Sequence, residues 1–400
     1  MALTDFKPQF DNAYQEVFQK TLVAKDIMNT RFESVLRYGE SVERVAYDIS
    51  GVRVRSVSRG SASTIDTITD TSELLTINLE KEAVFHISDG EVKQAGPLNP
   101  GQEIGKQIAH KIALDLDGRC FAEVTNALYN FDTGDLTTGT SNGTAITLNS
   151  TTVPQLVSRM GAKLRNKNNQ EVATNMVLVV DSYAASDITQ YLLGKNIDLA
   201  GNVFKNGYTG DVSNAQLYVS ENLSGEAVLA LATEPTANDT VSVGGVTFTF
   251  VGSPTNPGDV DLGGSADATR ANLAAAINQG AGAGTAYIAF TSSTDLDNVS
   301  KLAATNDNTA NTLTVVGTGT GRLTVAETLT AGGDSWSSNF IHCYYGKKGA
   351  IDLVIQDMKP VDMRETADRR GTNVFSSYLA GIKTFADGAK KFLDVLIAVA

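Results

Sequence analysis

Apolar residues recur every four positions along one stretch of the chain: Ile104, Ile108, Ile112, Leu116, Cys120, Val124 and Leu128, with Ala109, Ala113 and Phe121 beside them. Residues four apart share one helix face, so the spacing predicts a helix buried along its length. Four residues overshoot a turn by roughly 40°, so the row drifts and its neighbours must wrap it. Asn99 is placed to cap the first free amides, Pro100 suits the first helical position, and Gln102 completes a capping-box spacing. A helix over 99–129 would be a rod of roughly 40 Å, long enough to serve as a spine.

Other periodicities frame this helix. Phe10, Tyr14, Val17, Phe18 and Leu22 predict an amphipathic N-terminal helix ending near Met28. Val45, Tyr47 and Ile49, then Val52 and Val54, alternate with polar residues and predict a strand. The chain turns near Gly60 and Ser61 and returns through Ile65, Ile68, Leu75, Ile77 and Leu79 towards Phe85. That is a long two-stranded excursion with little core of its own. Such a ribbon is marginal in water and predicts support from another subunit. Its outgoing arm carries Arg53, Arg55 and Arg59; its return carries Asp66, Asp70 and Glu73. These charges read either as ordinary solvated strand faces or as charge matching across a subunit contact.

Beyond the spine, 130–152 reads as a loop or small hairpin, 153–164 as a helix, 176–180 as a buried strand, 182–193 as a helix and 217–219 as a strand. This alternation predicts a mixed α/β domain rather than a bundle or sandwich. Near Val228 the composition shifts. Between Ala230 and Asp334 ten acidic residues face only Arg270, Lys301 and Arg322, a net charge of −7, and His, Cys and Trp are absent. Val241–Val251 alternates about a Gly244-Gly245 hairpin turn, 269–277 reads as a helix, and 287–290 and 313–316 as strands. The segment reads as a self-contained α+β insertion, one that a short linker could replace. Closing strands are expected at 341–345, 351–355, 374–379 and 392–399.

Composition adds limits. Four hundred residues, 42% of them hydrophobic, suffice for two or three domains. No run of eighteen apolar residues occurs and the first ten residues lack a signal-peptide core, so neither a membrane span nor secretion by that route is expected. Cys120 and Cys343 read as reduced packing residues. A net charge of −13 argues against a dedicated nucleic-acid-binding surface.

No constellation for catalysis emerges, and no cofactor or metal is expected. His86, His110 and His342 are scattered without metal-ligand spacing, and no G-x-S-x-G string occurs. Gly280–Gly284 and Gly317–Gly321 lack the strand-then-helix context of a phosphate-binding loop and read as turns. Asp295-Leu-Asp297 begins like a calcium loop, but Ser300 and Asn306 occupy the positions that need glycine and glutamate.

The order of parts resembles the major capsid protein of tailed bacteriophages: an arm, an extended loop, a spine helix, a mixed domain and closing strands. The stretch Glu91-Val-Lys-Gln-Ala-Gly-Pro-Leu-Asn-Pro-Gly-Gln-Glu-Ile-Gly105 looks like the corresponding junction of podovirus-type capsids. The resemblance implies an α+β capsid fold with an arm (1–44), an extended β-loop (45–85) and a peripheral domain (86–150). An axial domain (151–229 and 336–358), closing peripheral strands (359–400) and a small inserted surface domain (230–335) complete it. Its implied function is self-assembly as hexamers and pentamers into an icosahedral head around double-stranded DNA. It also implies a separate scaffolding protein, a portal, a possible decoration or cement protein, only weak DNA contact and assembly in the bacterial cytoplasm. Subunits would meet through the six ribbon charges named above and, near threefold axes, through Arg364, Glu365, Asp368, Arg369 and Arg370. Some relatives crosslink through a loop lysine, yet no Lys lies between Lys25 and Lys81. An encapsulin-type nanocompartment, a tail or adhesion protein and an unrecognised enzyme stand as alternatives.

Overall fold

A computed structural model describes the chain except residues 1–9, 11–13, 15–21, 35, 37, 49–51, 57–59, 61–64, 89–99, 169–174, 194–210, 213–214, 331, 366–369 and 400. Helices and strands mix in an α+β fold whose contacts fall into two compact units, 1–113 with 348–391, and 114–347 with 392–400.

The first unit is built on a three-stranded antiparallel sheet, in which Thr372–Lys383 lies between Asp352–Glu365 and Leu79–Ile87. The central strand alternates strictly: Thr372, Val374, Ser376, Tyr378 and Ala380 are buried, and the residues between them are half-buried. That is the pattern of a strand with one covered face. Phe10 and Tyr14 are helical and fully buried, with the Phe10 ring stacked 6.3 Å from Phe85. Val17 and Phe18, also assigned to that N-terminal helix, lie outside the described residues. The long helix begins in this unit, at Pro100; Asn99, its expected cap, lies outside the described residues.

This helix spans Pro100–Ala122, tightens into a 3-10 turn at Glu123–Asn126, and stops. Ile112, Leu116, Cys120 and Val124 are buried, but Leu128 is 52% exposed. The predicted end at 129 is too late. Six steps of roughly 40° carry Leu128 about two-thirds of a turn away from Ile104, so one face cannot hold the whole row.

The second unit contains a nine-stranded sheet. Its path runs Leu302–Asp307, Thr312–Gly317, Ser224–Ala230, Ser335–Lys347, Met176–Val180, Ala215–Val219 and Asp211–Val212. Phe392–Ala398 pairs with Ser335–Lys347 and, in parallel, with Tyr129–Phe131. Met176–Val180 is buried throughout and pairs in parallel with Ala215–Val219, the two joined through the helix Ser182–Leu193. Both cysteines are free and buried. Within 130–152, Asp132 caps a short helix, Thr133–Thr137, in a capping box with Asp135.

The acidic segment is woven into this unit. Its strands Val246–Val251 and Thr240–Val243 turn at Gly244 and Gly245, both with positive φ (59° and 81°), as a two-residue hairpin requires. Asp259–Asp261 and Val325–Glu327 complete that four-stranded sheet. Its other hairpin, Leu302–Asp307 with Thr312–Gly317, extends the large sheet by pairing with Ser224–Ala230. One apolar cluster joins Ala227 and Leu229 to Phe248, Phe250, Leu273 and Leu313, so the segment shares core and sheet with its host. At the outer strand of this hairpin, the Asn278 side chain accepts from the Ala304 amide (2.7 Å) and donates to its carbonyl (2.8 Å).

Candidate assembly interface

The predicted excursion is a ribbon. Ser41–Asp48 and Thr69–Thr76 pair antiparallel from Ser41↔Thr76 to Asp48↔Thr69. Its base is anchored within the first unit: Leu75 is buried with Leu36, Val354 and Phe385. Arg44 pairs with Asp387 (2.5 Å), lies 3.9 Å from Asp352, and stacks over Phe385. Glu73 accepts the Ala386 amide at 2.9 Å, capping the short helix Ala386–Ala389.

Past the ladder the two arms are tied by charge. Asp66 accepts the Arg53 amide (2.9 Å) and pairs with the Arg55 guanidinium at 2.5 Å and that of Arg53 at 3.5 Å. The Arg53 amide first, then the Arg55 side chain, hold its carboxyl below the usual carboxylate range. Three of the predicted interface charges are thus matched inside one chain, and Glu73 is spent on an in-chain cap. Asp70 is exposed, opposite Tyr47 in the ladder. Arg59 lies outside the described residues.

Among the described residues the ribbon also carries uncovered apolar side chains. Val54 and Ile65 are almost fully exposed, and Val52, Ile68, Val45 and Leu74 are each about half exposed. Exposed ion pairs contribute ~0–1 kcal/mol each. Burying a Val or Ile side chain contributes ~1.5–3 kcal/mol. Any association through this ribbon is therefore driven by the valines and isoleucines, with the charges tuning it. The alternation of Val52 and Val54 carried that signal in the sequence.

In the second predicted cluster, Arg364 donates twice to Asp362 (3.0 and 2.8 Å) and stacks 5.2 Å over Phe375, a pairing that the sequence reading missed. Arg370 is exposed. Asp368 and Arg369 lie outside the described residues, as does the side chain of Glu365. Arg364 and Asp362 belong to a charged groove with Glu80, Lys81, Glu82 and Lys359.

The three histidines stand apart. His110 is exposed on the long helix, and His86 pairs with Asn373 at 2.8 Å. His342 is buried between Asp394 (Nδ1, 2.8 Å) and Glu226 (Nε2, 3.3 Å) on three adjoining strands. Burial alone would lower its pKa, but the two carboxylates outweigh burial and raise it to about 9. Among the described residues no group of three or more His, Cys, Asp or Glu side chains is placed to hold a metal ion, and no helix is long and apolar enough to cross a membrane.

No family model matches the sequence, and no curated protein matches it. Solved structures do resemble it. One from Mycobacterium phage Che8 is 14% identical, covering 94% of this chain and 90% of that one, with a TM-score of 0.48. The capsid of cyanophage P-SCSP1u is 10% identical over 90% of this chain and 84% of its own, at 0.45. The mature capsid of bacteriophage PhiM1 is 11% identical over 90% and 82%, also at 0.45.

Proposed function

We propose that this chain is a tailed-phage major capsid protein, a structural shell subunit without a catalytic role. The observation that carries the reading is the projecting ribbon, whose base is built into the fold and whose outer part presents Val52, Val54, Ile65 and Ile68 uncovered. A monomer has no use for such a surface, and a second copy of the chain gives it one. Copies associate as hexamers and pentamers and close into an icosahedral shell around double-stranded DNA. Assembly takes place in the host cytoplasm with a separate scaffolding protein and a portal.

The interior needs little affinity for DNA, because counterions and polyamines neutralise packed phosphates and a subunit of net charge −13 avoids trapping the genome. The acidic segment faces outward, where it is not repelled by phosphate, and is available to a decoration protein.

Negative-stain microscopy of the purified chain, alone and with its neighbouring gene products, tests the reading. Closed shells are expected, and double-stranded DNA inside them separates a phage head from a protein-filled nanocompartment. Tight, sequence-independent DNA binding by the free subunit at physiological salt would overturn it.

A further inference from the structure

The glycine-rich string Gly317-Thr-Gly-Thr-Gly321 lies inside the acidic segment, between the strands Thr312–Gly317 and Val325–Glu327, and its surroundings exceed what a turn requires. A Cβ on Gly118 of the long helix would lie 2.6 Å from the Gly319 Cα, so helix and turn touch backbone to backbone. Gly319 itself has φ +63°. On the turn's other side a Cβ on Gly225 would meet the Gly321 carbonyl oxygen at 2.3 Å, and the Gly321 amide donates to Leu223 at 2.8 Å. The next residue, Arg322, donates to the fully buried Asp181 at 2.5 Å while its guanidinium lies 4.8 Å over the Tyr183 ring. The other Asp181 oxygen accepts the Ala184 amide and caps the helix Ser182–Leu193. Leu323 then enters the shared apolar core.

From these contacts we infer that Gly317–Arg322 is a strap by which the inserted segment locks the 114–122 part of the long helix and the start of Ser182–Leu193 onto the large sheet. The helix cannot shift along the sheet without displacing Gly319, and Gly319 cannot move without drawing Arg322 off a buried carboxylate. The insertion thus has a conformational task in the host. This inference concerns the fold of the single chain and does not depend on the capsid reading.

Gly118→Ala in the purified full-length chain gives a test by sign. Alanine in place of glycine within a helix ordinarily stabilises. Here the methyl group collides with Gly319, and the melting temperature is expected to fall by several degrees. An unchanged or raised melting temperature would overturn the strap. Asp181→Asn, which keeps an oxygen for the helix cap, and Arg322→Gln are milder variants read by amide hydrogen exchange. Each is expected to speed exchange at least threefold in both 114–122 and 302–317. Acceleration confined to 182–193 would show a local ion pair only and would overturn the inference.

Discussion

His342 is buried with two carboxylates for partners and a pKa of about 9, above the ordinary histidine value of 6.5. A group whose pKa rises on folding stabilises the fold fully below its unfolded value, and that contribution is lost as pH rises through the folded value. Stability should therefore decline between about pH 6.5 and 9, and His342→Gln should remove that part of the decline. Melting curves at half-unit pH steps on both proteins check this. The sequence could not single out this histidine, because Glu226 and Asp394 are 116 and 52 residues away and only strand pairing brings them together. The same blindness applies to the acidic residues of 230–334. Asp239, Asp259 and Asp334 are buried and accept backbone amides, and Asp307 accepts two amides with its pKa lowered by them. Four of the ten acidic residues there thus also serve backbone amides, mostly in tight turns.

The elements were more legible, because each announces itself through local periodicity. The spine row gave the long helix, the Gly244-Gly245 pair gave the hairpin, and alternation at Val45 and Val52 gave the ribbon. Strand Ser224–Ala230 escaped because its small residues, Ser224, Gly225 and Ala227, carry no alternation, although it is the strand on which the added hairpin depends. The expected strand at 287–290 is reduced to two isolated bridges at Tyr287, to Val260 and to Ala283. Two substitutions separate the ribbon's apolar drive from its charges. Val54→Asp or Ile65→Asp should leave the melting temperature unchanged and abolish particles in negative stain, since these side chains touch solvent in the single chain. Reversing Arg53, Arg55 and Arg59 to Glu should leave the subunit folded and impair assembly less, because it unties Asp66 within the ribbon while leaving the valines in place. Particle yield by sedimentation orders the two.

For the molecule as a whole, the acidic segment stands out in the sequence as a break in composition, but its sharing of sheet and core with the strands around it does not. Sequence predicts a replaceable module, and the junctions do meet, with Ala230 paired to Ser335. Yet replacing 232–334 with a Gly-Ser linker removes the hairpin flanking Ser224–Ala230, uncovers Leu229, and leaves Asp181 buried without Arg322. A buried carboxylate stripped of its partner costs ~3–5 kcal/mol. The shortened chain should therefore show a lower melting temperature and less soluble monomer in gel filtration than the full chain. The hydrogen bonds of Asn278 to Ala304 bear on a different hazard. A sheet that ends in bare amides and carbonyls invites a neighbour's strand, and head-to-tail addition of that kind has no natural stopping point. With the Asn278 side chain filling the place of the next strand at Ala304, this edge of the large sheet offers a neighbouring copy no unbroken template.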